Sequence, residues 1–559
     1  MCRIHGTECR FPAEIPEPGP SADTTSWTGR ANEVEVDDYQ PTPLATDDSE
    51  QQNTHIVGPA NTADSQVLAD YLSTITTDNG GIRMVRPLPG SRSKPVLFST
   101  VQKRPIGVEI TACTNQAREK LNIIEQYLAP WAEQFIELYF RKINICLPLL
   151  DHGSFKSQYK NEKDKISPAL LASLYAHSTM YWRLSSNVAG HRALNDRFIW
   201  NLANEVLYSE LHLSPGISTI TAILLNVGGR PTTSLIGNGV QLGAAVSLAH
   251  SLGLNRDPSS WDIPDSEKLL RMKIWWSLLI HDKWSSLAHG TPPRIQRAQH
   301  DVPSPELSHF CLQDEGQAAP VFIALSGLTE VLDHYLQVLY CVDPNKSVHT
   351  ADLEFRLNQW VQKLDAEVRR IITRGTQLHL PGGANLRLAY LSTQLLLRRI
   401  ELENDTDKED IGSQMLANRY MQVQRTAEEI VVLVQELHED QLRDFWLPMS
   451  AFVFSSTTTF LLRCALETED SQAAVAQSSS LRLAWDLLTA LRGHRDKMGW
   501  ELGDICLAQH EGIVQRLMAT LKPGGPQLST PGLQEIALQD PEFIEELFPN
   551  LWDIFQVNT

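Results

Sequence analysis

From about Asn115 to Gly524, apolar residues recur three and four positions apart, and no long run of alternating β-branched residues interrupts them. That spacing predicts amphipathic helices. In LAPWAEQFIELYFRKINICLPLL, residues Trp131, Phe135, Leu138 and Tyr139 share one face, and Pro148 closes the helix. ISPALLASLYAHSTMYW starts with Ser167 as N-cap and Pro168 at the first helical position. Its core face is Leu171, Leu174, Tyr175 and Ser178. TTSLIGNGVQLGAAVSLAHSLGLNRD predicts another helix, ended by a left-handed Gly253. The next begins at Asp265 or Ser266 and stops near Gly290, before Pro292 and Pro293. Further helical patterns cover 318–342, 351–374, 384–403, 413–440, 446–467 and 479–494. No segment alternates strand and helix, and no fixed-period repeat is present, so residues 115–524 predict one large, irregular all-α body of about ten or more helices.

The flanks have a different texture. Residues 13–105 mix Pro, Gly, Ser, Thr and acids with few large aliphatics, too little apolar surface to offset chain entropy, and predict a disordered linker. Beyond KPGGP, residues 525–559 hold acids and large hydrophobics without Lys or Arg.

Charge and cysteine usage narrow the class. A net charge of −19 excludes a globally basic nucleic-acid binder. The eight cysteines, at 2, 9, 113, 146, 311, 341, 464 and 506, share no spacing and read as reduced intracellular thiols. The N-terminus has no apolar signal core. FWLPMSAFVFSSTTTFLLRCAL, with its Ser, Thr, Pro448 and Arg463, predicts a buried helix rather than a membrane span.

Signatures of catalysis are missing from the sequence: no G-x-S-x-G, H-E-x-x-H or phosphate-binding G-x-x-x-x-G-K-[ST] occurs. Gly237, Gly239 and Gly243 lie inside a helical pattern with no strand before them, so they read as helix packing or a local kink rather than a dinucleotide loop. VGGRP at 227–231 reads as a turn. His250, His281 and His289 have no Cys or carboxylate at ligand spacing and read as surface or hydrogen-bonded core histidines. DDSE and NDTDKED read as solvated loops.

The most informative stretch is LGLNRDPSSWDIPDSEKLLRMKIWWSLLIHDKWSSLAHGTPPRIQRAQHDVPSP. Adjacent Trp275 and Trp276 diverge by about 100° and can pin one helix between two neighbours. Asp282 and Lys283 suit an ion pair or a helix-end contact. The order Gly253, Arg256, Asp257, Glu267, Arg271, Trp275, Trp276, Asp282, Gly290, Pro292 resembles the fungal-specific transcription factor domain, the middle homology region of fungal zinc-cluster regulators. Lys283 and Thr291 depart from that pattern, where arginine is usual at each. Upstream, FIELYFRKINICLPLLDHGSF is similar to the family's first helix and loop, so the resemblance covers about 130–470. SLAHSLGLNRDPSSWDIPD more loosely resembles the TamA-type nitrogen-utilisation branch.

The resemblance gives meaning to both ends of the chain. CRIHGTECRF has the C-x6-C spacing that ends a six-cysteine zinc cluster, in Cys2 and Cys9 followed by Arg10 and Phe11. The pattern's first four cysteines and its basic DNA-reading helix are not in this sequence, and two thiolates cannot close a tetrahedral zinc shell. Residues 1–12 are therefore expected to be the remnant of a truncated DNA-binding module, with zinc as cofactor only where the remaining cysteines are supplied. In the tail, Phe543, Leu547, Phe548, Trp552 and Phe555 interleave with acids, as in an activation segment, and a final docked helix is the equal alternative. The resemblance implies a nuclear regulator of RNA polymerase II genes. Its implied partners are DNA through the missing half, coactivators or other transcription factors, a second copy of itself and a small-molecule effector, with no membrane. The alternatives are a coactivator that does not bind DNA and, third, a helical enzyme.

Overall fold

A computed structural model describes residues 52–58, 82–85, 96–102, 110–183, 194–213, 215–229, 235–310, 316–342, 349–406, 413–469 and 471–519. Among them are eighteen α-helices and one small sheet. The all-α expectation holds for the body. The first half contains α1 (Ile110–Leu128), α2 (Ala132–Tyr139), α3 (His152–Asn161), α4 (Pro168–Arg183), α5 (Asp196–Leu213), α6 (Ile217–Gly228), α7 (Leu235–Ser251), α8 (Asp265–His289) and α9 (Ala319–Leu339). The second contains α10 (Thr350–Lys363), α11 (Ala366–Arg374), α12 (Gly383–Thr406), α13 (Ser413–Gln435), α14 (Glu439–Leu442), α15 (Ala451–Thr468), α16 (Gln472–Gln477), α17 (Ser479–Met498) and α18 (Asp504–Ala519).

Local chemistry sets the helix ends. Ser167 caps α4 as expected, its Oγ accepting the Leu170 N–H at 3.1 Å. Gly253 and Gly290 take left-handed φ values of 68° after α7 and α8, again as expected. Two predicted helices are each divided. The one expected from Trp131 to Pro148 passes from α2 into a wider turn at Phe140–Asn144. There the buried Asn144 carboxamide accepts the backbone N–H groups of Leu149 and Leu150. The one expected over 351–374 breaks where Asp365 turns extended and caps α11 through the N–H groups of Glu367 and Val368.

The apolar faces close two large cores. One gathers side chains from α1 to α12; the other lies among α12 to α18. Helix α12 serves both, because Ala384, Leu388, Leu391, Leu395 and Leu402 face one core while Leu386, Ala389, Leu397 and Ile400 face the other. The segment Pro448–Thr468 is long and apolar enough to cross a membrane by composition, yet Phe454, Phe460 and Leu461 are buried in the second core.

The disordered-linker expectation for 13–105 is corrected in three places. Strands β1 (Gln52–Ile56) and β2 (Ile82–Val85) both pair antiparallel with a central β3 (Val96–Gln102). Phe98 of β3 is fully buried and meets Trp261 edge-on at 5.8 Å, in a small cluster with Ile263 and Ile56. A few large side chains anchored on the body thus supply burial that the segment's average composition conceals.

Candidate functional site

The motif residues converge around α8 and the two loops it joins. After α7, the Gly253 turn leads to Arg256, whose guanidinium reaches both carboxylate oxygens of Asp301, with Nε at 3.2 and 3.1 Å. Asp301 also accepts the Asp257 N–H at 2.7 Å, and Asn255 donates to the Gln299 carbonyl at 2.8 Å. The loop before α8 is thereby fastened to the strap that follows it, residues 297–304. The Asp257 carboxylate stays local, accepting the Ser259 N–H.

Within α8, Glu267 and Arg271 stand one turn apart and form an ion pair at 3.0 Å, each side chain only 1% exposed. Arg271 also donates to the Leu252 carbonyl at 3.1 Å and lies over the Trp261 ring. Trp275 and Trp276 do diverge. Trp275 lies between His250 and His300, whereas Trp276 donates its indole N–H to the Pro303 carbonyl at 2.8 Å and faces His309 and Phe310.

Asp282 is fully buried, and its two oxygens accept the backbone N–H groups of Arg294 and Ile295, each at 3.0 Å. A buried carboxylate is tolerable when donors surround it, and here it also fixes the path of the chain after α8. Lys283 is buried beside it, donates to the Ile295 carbonyl and pairs with Asp333 of α9 at 2.9 Å. Gly290 turns the chain out of α8, its N–H donating to Ser286, and Pro292 is exposed in the following turn.

Between α8, α9 and the strap runs a cleft of about 250 Å³. Trp276, Leu279 and Val302 form its apolar lining, and Lys283, His300 and Asp333 are among its polar groups. Burial, then Lys283 and Arg297, hold the His300 imidazole below its ordinary pKa. Its Nδ1 is buried without a hydrogen-bond partner among the described residues.

The other candidates sort simply. Gly239 and Gly243 lie under the Arg294 side chain, so close packing accounts for both, as expected; a Cβ on Gly239 would come 3.0 Å from that guanidinium. His281 donates through Nδ1 to the Ser277 carbonyl inside the core, while His250 and His289 pack on aromatic rings. Cys146, Cys341, Cys464 and Cys506 are unbridged, and burial pushes the thiols of Cys464 and Cys506 up to about 12. Cys2 and Cys9 lie outside the described residues, as do Phe543, Leu547, Phe548, Trp552 and Phe555. Two thiolates do not by themselves make a zinc centre.

Sequence reasoning missed Asp301, Asp333 and His300. Asp301 carried a signal in its Pro-bounded acidic context, whereas Asp333 sits on a later helix, at no motif spacing from Lys283.

Comparison with known proteins finds similarity over these residues. Residues 136–370 match the fungal specific transcription factor domain. A transcriptional regulatory protein of Schizosaccharomyces pombe is 26% identical over 351 residues, covering 62% of this chain and 52% of the relative. The transcriptional activator protein DAL81 of Saccharomyces cerevisiae is 22% identical over 397 residues, 60% of this chain and 39% of its own. The acetamidase regulatory protein of Aspergillus oryzae is 22% identical over 286 residues, 50% of this chain and 36% of its own. The chain therefore spans about half or less of the length of these relatives. The loop pinned by Asp301, the buried pairs of α8 and the cleft beside them all lie inside residues 136–370, the segment that matches the fungal specific transcription factor domain.

Proposed function

We propose that this chain is a fungal transcription regulator that acts in the nucleus on RNA polymerase II genes, with its helical body as the regulatory module. The observation that carries the reading is the domain match over residues 136–370, together with similarity to relatives named as transcriptional regulators or activators. The geometry is in keeping with it. The motif residues are engaged in fastening loops and helices to one another. A scaffold of this kind positions surfaces for partners.

In this reading, the acidic tail with Phe543, Leu547, Phe548, Trp552 and Phe555 contacts coactivators, and Cys2 and Cys9 belong to the end of a zinc-cluster module. The test is transcription from a reporter when the chain is tethered through a heterologous DNA-binding domain. Tethering should change reporter output, and deletion of residues 533–559 should lower activation. An unchanged reporter on tethering removes the regulator reading; unchanged activation after the deletion removes the role of the tail.

A second reading, a coactivator brought to promoters by other factors, is favoured by one observation. The chain carries a net charge of −19, and a polyanion such as DNA repels it. Sequence-specific DNA binding by the purified chain would exclude it.

A further inference from the structure

The cleft between α8, α9 and the 297–304 strap has an unequal distribution of charge. Several of its charged groups are satisfied by the protein: Lys283 by Asp333 and the Ile295 carbonyl, and Asp301 by Arg256. Two others are not. Arg297 has no ion-pair partner among the described residues, and its guanidinium donates instead to the neutral Nε2 of His334 at 3.1 Å. Outside the cleft lining, Arg356 of α10 donates to the same nitrogen at 3.3 Å. Two guanidinium groups thus share one imidazole acceptor, with no carboxylate paired to either among the described residues. Glu330, also in the cleft lining, accepts the Ser304 hydroxyl at 2.7 Å through its carboxylate and has no cation paired to it among the described residues.

These groups are close in space. Glu330 and His334 are one turn apart on α9, and neighbours at that spacing have Cβ atoms about 6 Å apart. A cationic end and an anionic end therefore face the same small volume, next to the unpartnered Nδ1 of His300 and the apolar surface of Trp276, Leu279 and Val302. A simple anion would suit Arg297 but meet Glu330, Asp333 and Asp301. A simple cation would suit Glu330 but meet Arg297 and Lys283. A molecule carrying carboxylate and ammonium on one carbon satisfies both ends at once, and its side chain can lie on the apolar wall.

We propose that this cleft binds a small zwitterion of the α-amino-acid class, its carboxylate on Arg297 and its ammonium on Glu330. Occupancy ties α9 to the strap, and the Arg256–Asp301 pair passes that restraint to the loop between α7 and α8. The regulatory meaning of this rests on the function proposed above; the binding itself does not.

The full chain, purified, is titrated with each standard α-amino acid by ligand-observed NMR and calorimetry. At least one should bind, and R297Q and E330Q should each weaken its Kd by about tenfold or more, the loss of one charge-assisted contact. Both side chains are exposed, so the variants should keep the wild-type melting temperature. The matching deaminated acid and decarboxylated amine should bind at least as weakly as the parent binds to those variants. Absence of binding by every amino acid overturns the proposal, as does binding that neither substitution weakens or that the deaminated acid reproduces. Because the readout is direct binding, a negative result leaves the tethered-reporter test untouched, and a silent reporter leaves the binding result standing.

Discussion

His177 on α4 and His281 on α8 meet above Gly228, where an added Cβ would lie 3.4 Å from the Cε1 of one ring and the Nε2 of the other. Burial drives both imidazoles down, His177 to about 3, with His281 adding to the effect, and His281 to about 4. Both folded-state values lie below the ordinary histidine value, so the unfolded chain binds more protons as the solution is acidified. Their contribution to stability is complete above about pH 6.5 and is lost as pH falls from there toward about 4 and then 3, by roughly 1.4 kcal/mol per pH unit for each ring. Urea unfolding of the chain between pH 7 and pH 5 should register that slope, and His177→Gln should reduce it. A slope unchanged in the variant would contradict the assignment. The Glu267–Arg271 pair supports a second prediction. Glu267→Ala leaves a guanidinium in the core beside an empty space and should cost about 3–5 kcal/mol, whereas replacing both by methionine should cost far less. Comparable losses in the single and double variants, measured by denaturant unfolding, would place the stabilising role elsewhere. Of these residues, Trp275 and Trp276 were the most legible in the sequence, because adjacency on a helix forces divergence. The partner of Lys283 was not, since Asp333 arrives on another helix and only packing brings them together.

Among the elements, two glycines with the same backbone conformation make a controlled comparison. Gly253 and Gly290 both have φ 68°, but a Cβ on Gly253 would press Ile56 and Phe98 at 3.1 and 3.2 Å, while nothing lies within 4 Å of one on Gly290. Gly290→Ala should therefore cost about 1–2 kcal/mol, the left-handed penalty alone. Gly253→Ala should cost more and should loosen the sheet, read as faster amide hydrogen exchange in β1 and β3. Equal costs and equal exchange would show that the sheet does not rest on that turn. The same elements explain what the sequence conveyed. Helix existence was legible wherever caps and periodicity agreed, as at Ser167 and Gly290. Strand β3 was not, because its buried residues Leu97 and Phe98 are embedded in Ser, Lys and Pro. The divisions at Phe140–Asn144 and at Asp365 follow from side-chain hydrogen bonds that apolar spacing does not encode.

At the scale of the whole molecule, α12 divides its two buried faces between two cores, so the halves of the helical body share one helix. The domain match ends at residue 370, before that helix begins. A substitution on either face, such as Leu391→Ala or Leu397→Ala, should lower stability by about 2–5 kcal/mol. Both should unfold the chain in one transition; separate transitions for the two halves would mean that the shared helix does not couple them. The central claim, that this body serves a transcription regulator, is tested most directly in cells, by cross-linking the chain to chromatin and depleting it acutely. The account predicts occupancy at promoters whose RNA polymerase II transcripts change within the depletion period, whether the chain reaches DNA itself or through a partner. A chain excluded from the nucleus, or found at no promoter that responds to its loss, would contradict it.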